Sequence, residues 1–494
     1  MKSLDRRIWK HPILQFKRER KIKFYFEGRE IEAYEGESIA AALYAIGVDV
    51  FSWSIKLNRN RGAFCMIGKC SSCFMKINGT SNTRTCIEPV RDGIIVERQR
   101  GLPEIPSVNI GSSVNEEEIK TDLLVIGGGP AGLKAALTAA EYGLKVVLVN
   151  EHFKLGGQLV KQTHKFFGSK ELFGGLRGFQ IAEMLTSKIK ENRNIRALVQ
   201  TVAYGIFRDG WIGLASKDKL YRVKADNIII ATGASEQYLA FPGNDLPGVM
   251  GAGGAQTLMN EYGILPGEEV LVVGSGNVGL IVSYQLLQAG ARVKAILEIM
   301  PKIGGWFVHA AKVRRYGIPI LTRHTIKEVI GRERVEKAVI VEVDEKFKPI
   351  PGSEREVPCN LVLLAIGLTP DNRLFAQAGA IMKWIPELGG LVPLRTRNLE
   401  TSIRGLYIAG DASGVEEATT AMIEGEIAAL STVIRSLNQP SEAIERREKL
   451  LEFLWQEYRQ SPLLSRARIG KIKATISEEE MEELRRKTSI EEVI

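Results

Sequence analysis

Four cysteines within one short stretch of the chain are the residues best suited to hold a metal cluster. All but one of the five cysteines belong to this group, which consists of Cys65, Cys70, Cys73 and Cys86. The gaps between them, of four, two and then twelve residues, begin with the spacing of plant-type [2Fe–2S] loops. Structural zinc sites more often present two short cysteine pairs, so zinc and an empty site are the weaker alternatives. The spacing therefore predicts that these thiols bind a [2Fe–2S] cluster.

The residues before the cysteines predict the elements that would position such a cluster. Residues 21–34 alternate apolar and polar side chains on either side of Glu27 and Gly28, which predicts a β-hairpin. Residues 38–46 then carry apolar side chains at helical spacing, starting at the capping residue Ser38 and ending before Gly47. A hairpin, a helix and a glycine-containing cysteine loop, in this order, predict a β-grasp ferredoxin-like domain.

A second group of residues has the pattern that binds the phosphates of a dinucleotide. Residues 122–126 predict a buried strand that leads directly into a glycine-rich turn and a helix. In this context the first glycine makes the turn, the second admits a pyrophosphate and the third lets the helix pack on the strand. The phosphate then lies at the helix N-terminus. The predicted contacts of this first slot are Gly127, Gly129, Pro130, Ala131 and Gly132, with Gly157 and Gln158 after the next strand.

The chain contains the same pattern a second time. The glycines and the terminal acid of this second slot are Gly274, Gly276, Gly279 and Glu298. An acid at the end of the second strand binds the ribose hydroxyls, and its presence favours NAD over NADP. In the first slot Asn150 and Glu151 compete for this role, and the equal interval of nineteen residues from third glycine to acid in both repeats selects Glu151. A fold kept as a scaffold, without a ligand, is the alternative at either slot.

Three further strand ends carry short glycine motifs, within residues 227–234, 361–370 and 405–411. Together, the motifs GGGPAG, GGQ, ATG, GSGNVG and AGD resemble those of the two-dinucleotide-domain flavoproteins of the glutathione reductase type. The resemblance implies that the second domain is inserted into the first. It also implies that Asp411 hydrogen-bonds a flavin ribityl chain. The further cofactor contacts implied are Ala231, Thr232, Gly233 and Gly410.

A cluster domain ahead of such a core resembles, over residues 20–440, the α subunits of heteromeric flavin-dependent amino-acid and imino-acid dehydrogenases. This family includes dye-linked L-proline dehydrogenase, sarcosine oxidase, hydrogen cyanide synthase and opine oxidase. The resemblance implies a partner β subunit of the glycine-oxidase or D-amino-acid-oxidase type that carries its own FAD. It further implies FAD, NAD or ATP in the first slot and an FMN shared at the interface with the β subunit. Met66 departs from the family, because many relatives have glycine there.

The sequence indicates no residue that would convert a substrate. Enzymes of this fold that reduce disulfides carry a cysteine pair, whereas the remaining cysteine here, Cys359, stands alone. The five histidines also stand singly, and no serine, histidine and carboxylate set suggests acid–base catalysis. We therefore predict no catalytic residues in this chain and expect it to carry electrons and nucleotides.

Composition sets limits on the class of protein. The chain has 494 residues, of which 45% are hydrophobic and 25% charged, as in ordinary globular proteins. The net charge is +9, and the first 23 residues hold nine lysines and arginines, which we interpret as an ion-paired surface and not a nucleic-acid site. Residues 270–291, the most apolar stretch, contain polar residues and glycines, so no membrane span is predicted. The N-terminus lacks the apolar run of a secretory signal, and we expect a cytoplasmic protein.

These patterns together predict an α/β architecture. The tail predicted after residue 440 contains amphipathic helices and no cysteine, and is expected to dock on or cover the core. The predicted divisions are a ferredoxin-like [2Fe–2S] domain with a basic arm over 1–100, a linker over 101–119, a first dinucleotide-binding domain over 120–250 and 386–440, an inserted second one over 251–385, and the helical tail over 441–494.

The function implied by the resemblance is that of an electron-transfer α subunit, with L-proline as the leading substrate of the whole enzyme. Electrons would pass from the FAD of the β subunit through the interface FMN and the cluster to an external acceptor. One alternative is a stand-alone NADH-dependent reductase that uses the cluster as its outlet. The other is a non-catalytic nucleotide-binding scaffold that orders a partner protein in a hetero-oligomer.

Overall fold

The computed structural model describes residues 5–103, 115–166 and 169–491. The chain divides into two compact units, unit 1 with Met1–Asn109 and Glu236–Gly367, and unit 2 with Ile110–Ser235 and Leu368–Ile494. This division falls at residues 236 and 367, whereas the motifs suggested domain bounds at 251 and 385; those bounds stay predictions. The middle of the predicted linker, residues 104–114, lies outside the described residues.

The N-terminal part of unit 1 has the predicted β-grasp arrangement. Its elements are β1 (Lys21–Phe26), β2 (Arg29–Tyr34), α1 (Ile39–Ala45), β3 (Ser52–Trp53), β4 (Asn60–Arg61), β5 (Phe74–Ile77), β6 (Thr80–Arg84) and β7 (Ile95–Arg98). The sheet order is β2-β1-β7-β5-β6, with β1 antiparallel to β2 and parallel to β7. The predicted hairpin and helix are confirmed, and the Ser38 hydroxyl caps α1 by accepting from the Ala41 N–H at 3.2 Å. The basic arm is ion-paired as expected, for example Arg6 with Asp49 and Arg7 with Glu37.

The next stretch of chain builds the main sheet of unit 2. Its elements are β8 (Glu116–Ile126), α2 (Pro130–Glu141), β9 (Val146–Val149), α3 (Gly178–Glu191), β10 (Ile195–Leu198), β11 (Val202–Ile206), β12 (Trp211–Ala215), β13 (Leu220–Ile230) and β14 (Ala234–Glu236). The sheet order is β10-β9-β8-β13-β12-β11, and β8 pairs in parallel with β9 and β13. The linker prediction is wrong at its end, because β8 begins at Glu116. The acidic start of β8 is paired with cations, with Glu117 within 2.6 Å of Arg196 on β10 and 2.7 Å of Lys219, the residue before β13.

The second dinucleotide-type fold returns the chain to unit 1. Its elements are β15 (Val249–Gly251), α4 (Ala252–Asn260), β16 (Glu269–Val273), α5 (Asn277–Gln288), β17 (Arg292–Glu298), α6 (Phe307–Arg315), β18 (Ile320–Thr322), β19 (His324–Ile330), β20 (Lys337–Glu342), β21 (Arg355–Pro358) and β22 (Leu361–Leu364). A parallel sheet of order β15-β22-β16-β17-β18 forms its centre, and β16 and β22 are fully buried or nearly so because helices cover a parallel sheet on both faces.

The last part of the chain completes unit 2. Its elements are β23 (Leu368–Pro370), α7 (Arg373–Gln377), β24 (Met382–Ile385), β25 (Gly390–Pro393), β26 (Leu406–Ile408), α8 (Ala418–Ser436), α9 (Ser441–Glu452), α10 (Ser465–Ala474) and α11 (Glu478–Glu491). Strand β26 pairs in parallel with β13, and α8 packs so closely on α2 that a Cβ at Gly425 would lie 2.1 Å from the Ala131 oxygen. The predicted tail helices are present. In the described part of the chain, no helix has the length and apolar character needed to cross a membrane.

Candidate functional site

The four predicted thiols converge in unit 1 on the loop between β4 and β5 and the turn after β6. Cys65, Cys73 and Cys86 are buried, and Cys70 is partly exposed. The Cys65 thiol is hydrogen-bonded to those of Cys70 and Cys86, and Cys86 is also bonded to Cys73. The hydrogen bond from Cys70, followed by that from Cys86, holds the pKa of Cys65 well below its ordinary value. Thiolates are the form in which cysteine ligates iron.

The backbone of the cysteine loop turns its N–H groups towards the sulfurs. The Gly68 N–H donates to Cys86 Sγ at 3.2 Å, and the N–H groups of Ile67 and Lys69 are bonded to Cys65. This path needs left-handed backbone at Met66, Gly68 and Ser71, with φ of 54°, 80° and 62°. The conformation at Met66 is one that glycine adopts without strain and that other residues rarely adopt.

These residues fit a two-iron cluster. Four thiols joined in a chain of hydrogen bonds match its ligand count, and the surrounding N–H groups would stabilise the negative charge on its sulfurs. The described side chains contain no three-residue group arranged around a single metal ion. A two-iron cluster makes a different demand, since each iron takes only two thiolates from the protein.

A tyrosine that the sequence did not indicate lies against the cysteine loop. Tyr238 stacks on Phe64 with ring centroids 4.4 Å apart and planes 15° apart, and its hydroxyl is hydrogen-bonded to Cys70. Partial burial, with the neighbouring thiols Cys70 and Cys65, raises the pKa of Tyr238, so it remains a hydrogen-bond donor at neutral pH. Tyr238 belongs to unit 1 but follows the whole of the first dinucleotide fold in sequence, so no local pattern could have identified it.

The first glycine loop, in unit 2, has the shape of a phosphate cradle. Gly127 has φ of 117°, and a Cβ there would lie 2.2 Å from the Ala231 oxygen; a Cβ at Gly132 would lie 1.8 Å from the Gly127 oxygen. These two glycines are required by the fold itself. At Gly129, by contrast, a Cβ would meet only Gly157 Cα, at 3.9 Å, so the space next to the start of α2 is open. An open space at a helix N-terminus is where the pyrophosphate of a dinucleotide fits.

The structure places Asn150 where the repeat argument had placed Glu151. Val149 pairs with Ile126 beside the first glycine loop, and Leu297 pairs with Val273 beside the second. Asn150 is therefore the counterpart of Glu298, and the alignment that selected Glu151 is off by one residue. Glu151 is the next residue and is partly exposed. Its predicted contact with ribose stays a prediction.

Asn150 and Glu298 make equivalent hydrogen bonds to their respective glycine loops. The Asn150 Oδ1 accepts from the Gly128 N–H at 3.1 Å, while its Nδ2 donates to the carbonyls of His152 and Lys154 at 3.0 and 2.9 Å. The Glu298 Oε2 accepts from the N–H and hydroxyl of Ser275, at 3.1 and 2.5 Å. Each side chain thus fixes the middle residue of its own glycine loop. In the second slot a Cβ at Gly276 would meet nothing within 4 Å, so this cradle is open as well.

The remaining predicted contacts of the first slot also lie in unit 2. The Thr232 hydroxyl donates to the Asp371 carbonyl at 2.7 Å, and Gly233 has φ of 73°. Gly410 follows β26 and comes so close to α2 that a Cβ would lie 2.8 Å from that of Ala131. Burial raises the pKa of the adjacent Asp411 to about 6. Of the remaining predictions, Gly157 and Gln158 are both exposed, and Pro130 is the first residue of α2.

Comparison with known proteins agrees with this architecture. The family model described as pyridine nucleotide-disulphide oxidoreductase matches residues 121–425, and that of a 2Fe-2S iron-sulfur cluster binding domain matches residues 19–101. The alpha subunit of sarcosine oxidase from Rhizobium meliloti is 24% identical over 485 residues, covering 85% of this chain but only 46% of that subunit. An opine oxidase subunit from the same organism is 29% identical over 346 residues, covering 65% of this chain and 72% of that protein. The crystal structure of L-proline dehydrogenase from P. horikoshii superposes with a TM-score of 0.67 at 27% identity, covering 90% of this chain and 79% of that one.

Proposed function

The chain belongs to the pyridine nucleotide-disulphide oxidoreductase family, and from this premise we propose that it is the electron-transfer α subunit of a heteromeric flavin-dependent amino-acid or imino-acid dehydrogenase. L-proline is the leading substrate of the whole enzyme. The chain itself is an oxidoreductase with a 2Fe-2S binding domain, related to the alpha subunit of sarcosine oxidase and to a proline dehydrogenase.

One observation carries the proposal: four thiols from a ferredoxin-like domain converge in a chain that resembles L-proline dehydrogenase over 90% of its length. A cluster of this type, when bound, accepts and releases single electrons. Cys65, Cys70, Cys73 and Cys86 would hold it, and the N–H of Gly68 would stabilise its negative charge. The role of these residues is to place and tune a carrier.

The cysteine that is not in the cluster loop supports the exclusion of dithiol chemistry. Cys359 is buried, and burial raises the pKa of its thiol to about 11, so it is protonated and unreactive at neutral pH. Following the family resemblance, we assign oxidation of the substrate to a partner β subunit with its own FAD, of the glycine-oxidase or D-amino-acid-oxidase type. The relatives named as subunits support a hetero-oligomer, and an FMN shared at the interface remains part of the proposal.

The first experiment tests the whole enzyme. The chain is co-expressed anaerobically with the product of a neighbouring gene of the amino-acid-oxidase type, and the purified complex is assayed with L-proline and a dye acceptor. Iron, sulfide and electron paramagnetic resonance spectra are measured on the same sample. We expect turnover and the spectrum of a reduced [2Fe–2S] cluster. Zinc in place of iron and sulfide would refute the cluster. No turnover with proline or other imino acids would refute the assignment of the substrate class.

A matched pair of variants tests which slot holds a nucleotide. Gly129→Ala and Gly276→Ala both place a methyl group in open space, so both should fold normally. In the first slot that methyl group would occupy the phosphate cradle, and we expect the nucleotide that is released on denaturation to fall at least about tenfold in Gly129→Ala. Mass spectrometry identifies the nucleotide as FAD, NAD or ATP. Loss in Gly276→Ala alone would instead support the NADH-dependent reductase, because it would place the bound nucleotide in the second slot.

A further inference from the structure

A buried group of charged residues connects the AGD loop of unit 2 to the C-terminal tail. At its centre is Glu424 on α8, which is 1% exposed. One of its oxygens, Oε2, accepts from the Gly410 N–H at 3.0 Å and from the Ser413 hydroxyl at 2.6 Å. A single carboxylate oxygen therefore holds both ends of the short turn that contains Asp411.

The other oxygen of Glu424 is bound by the tail. Lys471 on α10 donates to Glu424 Oε1 at 2.7 Å and to the Ser413 hydroxyl at 2.5 Å. Arg459, in the segment between α9 and α10, donates to the same oxygen at 2.5 Å and also pairs with Glu416. Both cations are 1% exposed. The tail thus reaches the AGD loop directly through Lys471 and indirectly through Glu424.

The charges in this network make the conformation of the AGD loop depend on the tail. Burial alone would raise the pKa of Glu424, but the cations Lys471, Arg459 and Arg395 lower this pKa to about 2. Removing buried cations leaves a buried, unpaired carboxylate, which is strongly unfavourable unless the surrounding structure rearranges. Because Glu424 also accepts from Gly410 and Ser413, a displaced carboxylate would release the two hydrogen bonds that hold this turn.

The tail lies beyond the family region, which ends at residue 425, whereas the AGD loop lies within it. We propose that the C-terminal tail, residues 441–491, acts as a positioning element of the first nucleotide slot, with Lys471 and Arg459 holding Glu424 and, through it, Gly410 and Asp411 in their binding conformation. This inference rests on the proposed nucleotide at that slot. It makes the tail part of cofactor binding and not only a cover for the core.

The experiment measures nucleotide affinity on the full chain, with FAD, NAD and ATP titrated separately into nucleotide-free protein. Lys471→Met removes the direct contact to the loop, and Ser413→Ala removes the hydroxyl that bridges Lys471 and Glu424 with little change in volume. We expect Kd for the bound nucleotide to rise about tenfold in each, the size of one lost hydrogen bond to a charged group. Thermal unfolding of each variant confirms that it is folded at the titration temperature.

A tail residue that bonds a different part of the chain provides the matched control. Arg485 on α11 also anchors the tail to unit 2, through Glu400 at 3.0 Å and the Thr401 carbonyl at 2.6 Å, but makes these contacts before β26. Arg485→Met should lower the melting temperature and leave Kd unchanged. Equal Kd values for Lys471→Met, Ser413→Ala and the wild type would overturn the inference while leaving the proposed function standing. A loss of affinity in Arg485→Met as large as that in Lys471→Met would have the same consequence. A wild-type chain that binds none of the three nucleotides would overturn the first-slot proposal and this inference together.

Discussion

Replacing Tyr238 with phenylalanine tests the geometry around the cysteine loop most directly. The substitution removes one hydroxyl, the donor to Cys70, and keeps the ring that stacks on Phe64. Reduction adds a negative charge to the cluster and its sulfurs, so a donor to a ligating sulfur stabilises the reduced form more than the oxidised form. The reduction potential of the cluster should therefore fall in Tyr238→Phe.

The size of the fall follows from the strength of a single hydrogen bond. A net hydrogen bond is worth about 0.5–1.5 kcal/mol, and for one electron a factor of ten, or about 1.4 kcal/mol, corresponds to 59 mV. The expected change is therefore about 20–60 mV. Tyr238 is 59% exposed, so water can replace the lost donor in part. We expect a value at the lower end of the range.

The assay is a potentiometric titration of the anaerobic protein, followed by the electron paramagnetic resonance signal of the reduced cluster. Tyr204→Phe serves as a control, because Tyr204 is a half-exposed tyrosine on β11 of unit 2. Phe64→Leu removes the stacking partner and should shift the potential less than Tyr238→Phe. A potential in Tyr238→Phe that is unchanged or higher than in the wild type, with the cluster fully assembled, would refute the role of the hydroxyl.

Three further predictions concern the first slot. Gly132→Ala should lower the free energy of unfolding by about 1–3 kcal/mol, the usual cost of overpacking, because the new Cβ would lie 1.8 Å from the Gly127 oxygen; urea denaturation measures this, and Gly129→Ala should be unchanged. Asn150→Ala should lower the melting temperature through the loss of three hydrogen bonds, whereas Glu151→Ala should weaken nucleotide binding at an unchanged melting temperature; the opposite pattern would contradict both roles. Raising the pH from about 4 to 6 should remove about 2 kcal/mol of stability through Asp411, because its pKa of about 6 in the folded chain means that the native carboxyl keeps a proton that the unfolded chain has lost. Urea titrations across this range should show a flatter profile for Asp411→Asn, and identical profiles would contradict the raised pKa of Asp411.

Local chemistry explains the predictions that the structure confirmed. The hairpin at residues 21–34 and the Ser38-capped helix depend on neighbouring residues, and both are present. The convergence of the four thiols was likewise foreseeable, because three of them lie on one short loop whose path follows from Met66, Gly68 and Ser71 at positive φ.

The errors arose where the answer depended on strand pairing. Residues 116–119 look like an acidic linker but form the start of β8, because Arg196 on β10 and Lys219 before β13 neutralise Glu117. Counting residues from the third glycine selected Glu151, whereas the pairing of Val149 with Ile126 makes Asn150 the counterpart of Glu298. A count along the chain includes the extra residue that β17 carries where its register shifts beside Val270 and Leu271, and only the hydrogen-bonded register reveals that residue.

By itself, the sequence determined the kinds of cofactor this protein is built for, since ligand spacing and glycine turns act over a few bonds and are visible in the order of residues. The tertiary structure alone decided which distant side chains support those sites. Tyr238 reaches Cys70, and Lys471 reaches Glu424, across long separations in the chain. Contacts of this kind carry no periodic signal, because a buried charge or hydroxyl is placed by the packing of whole elements and not by its neighbours in sequence.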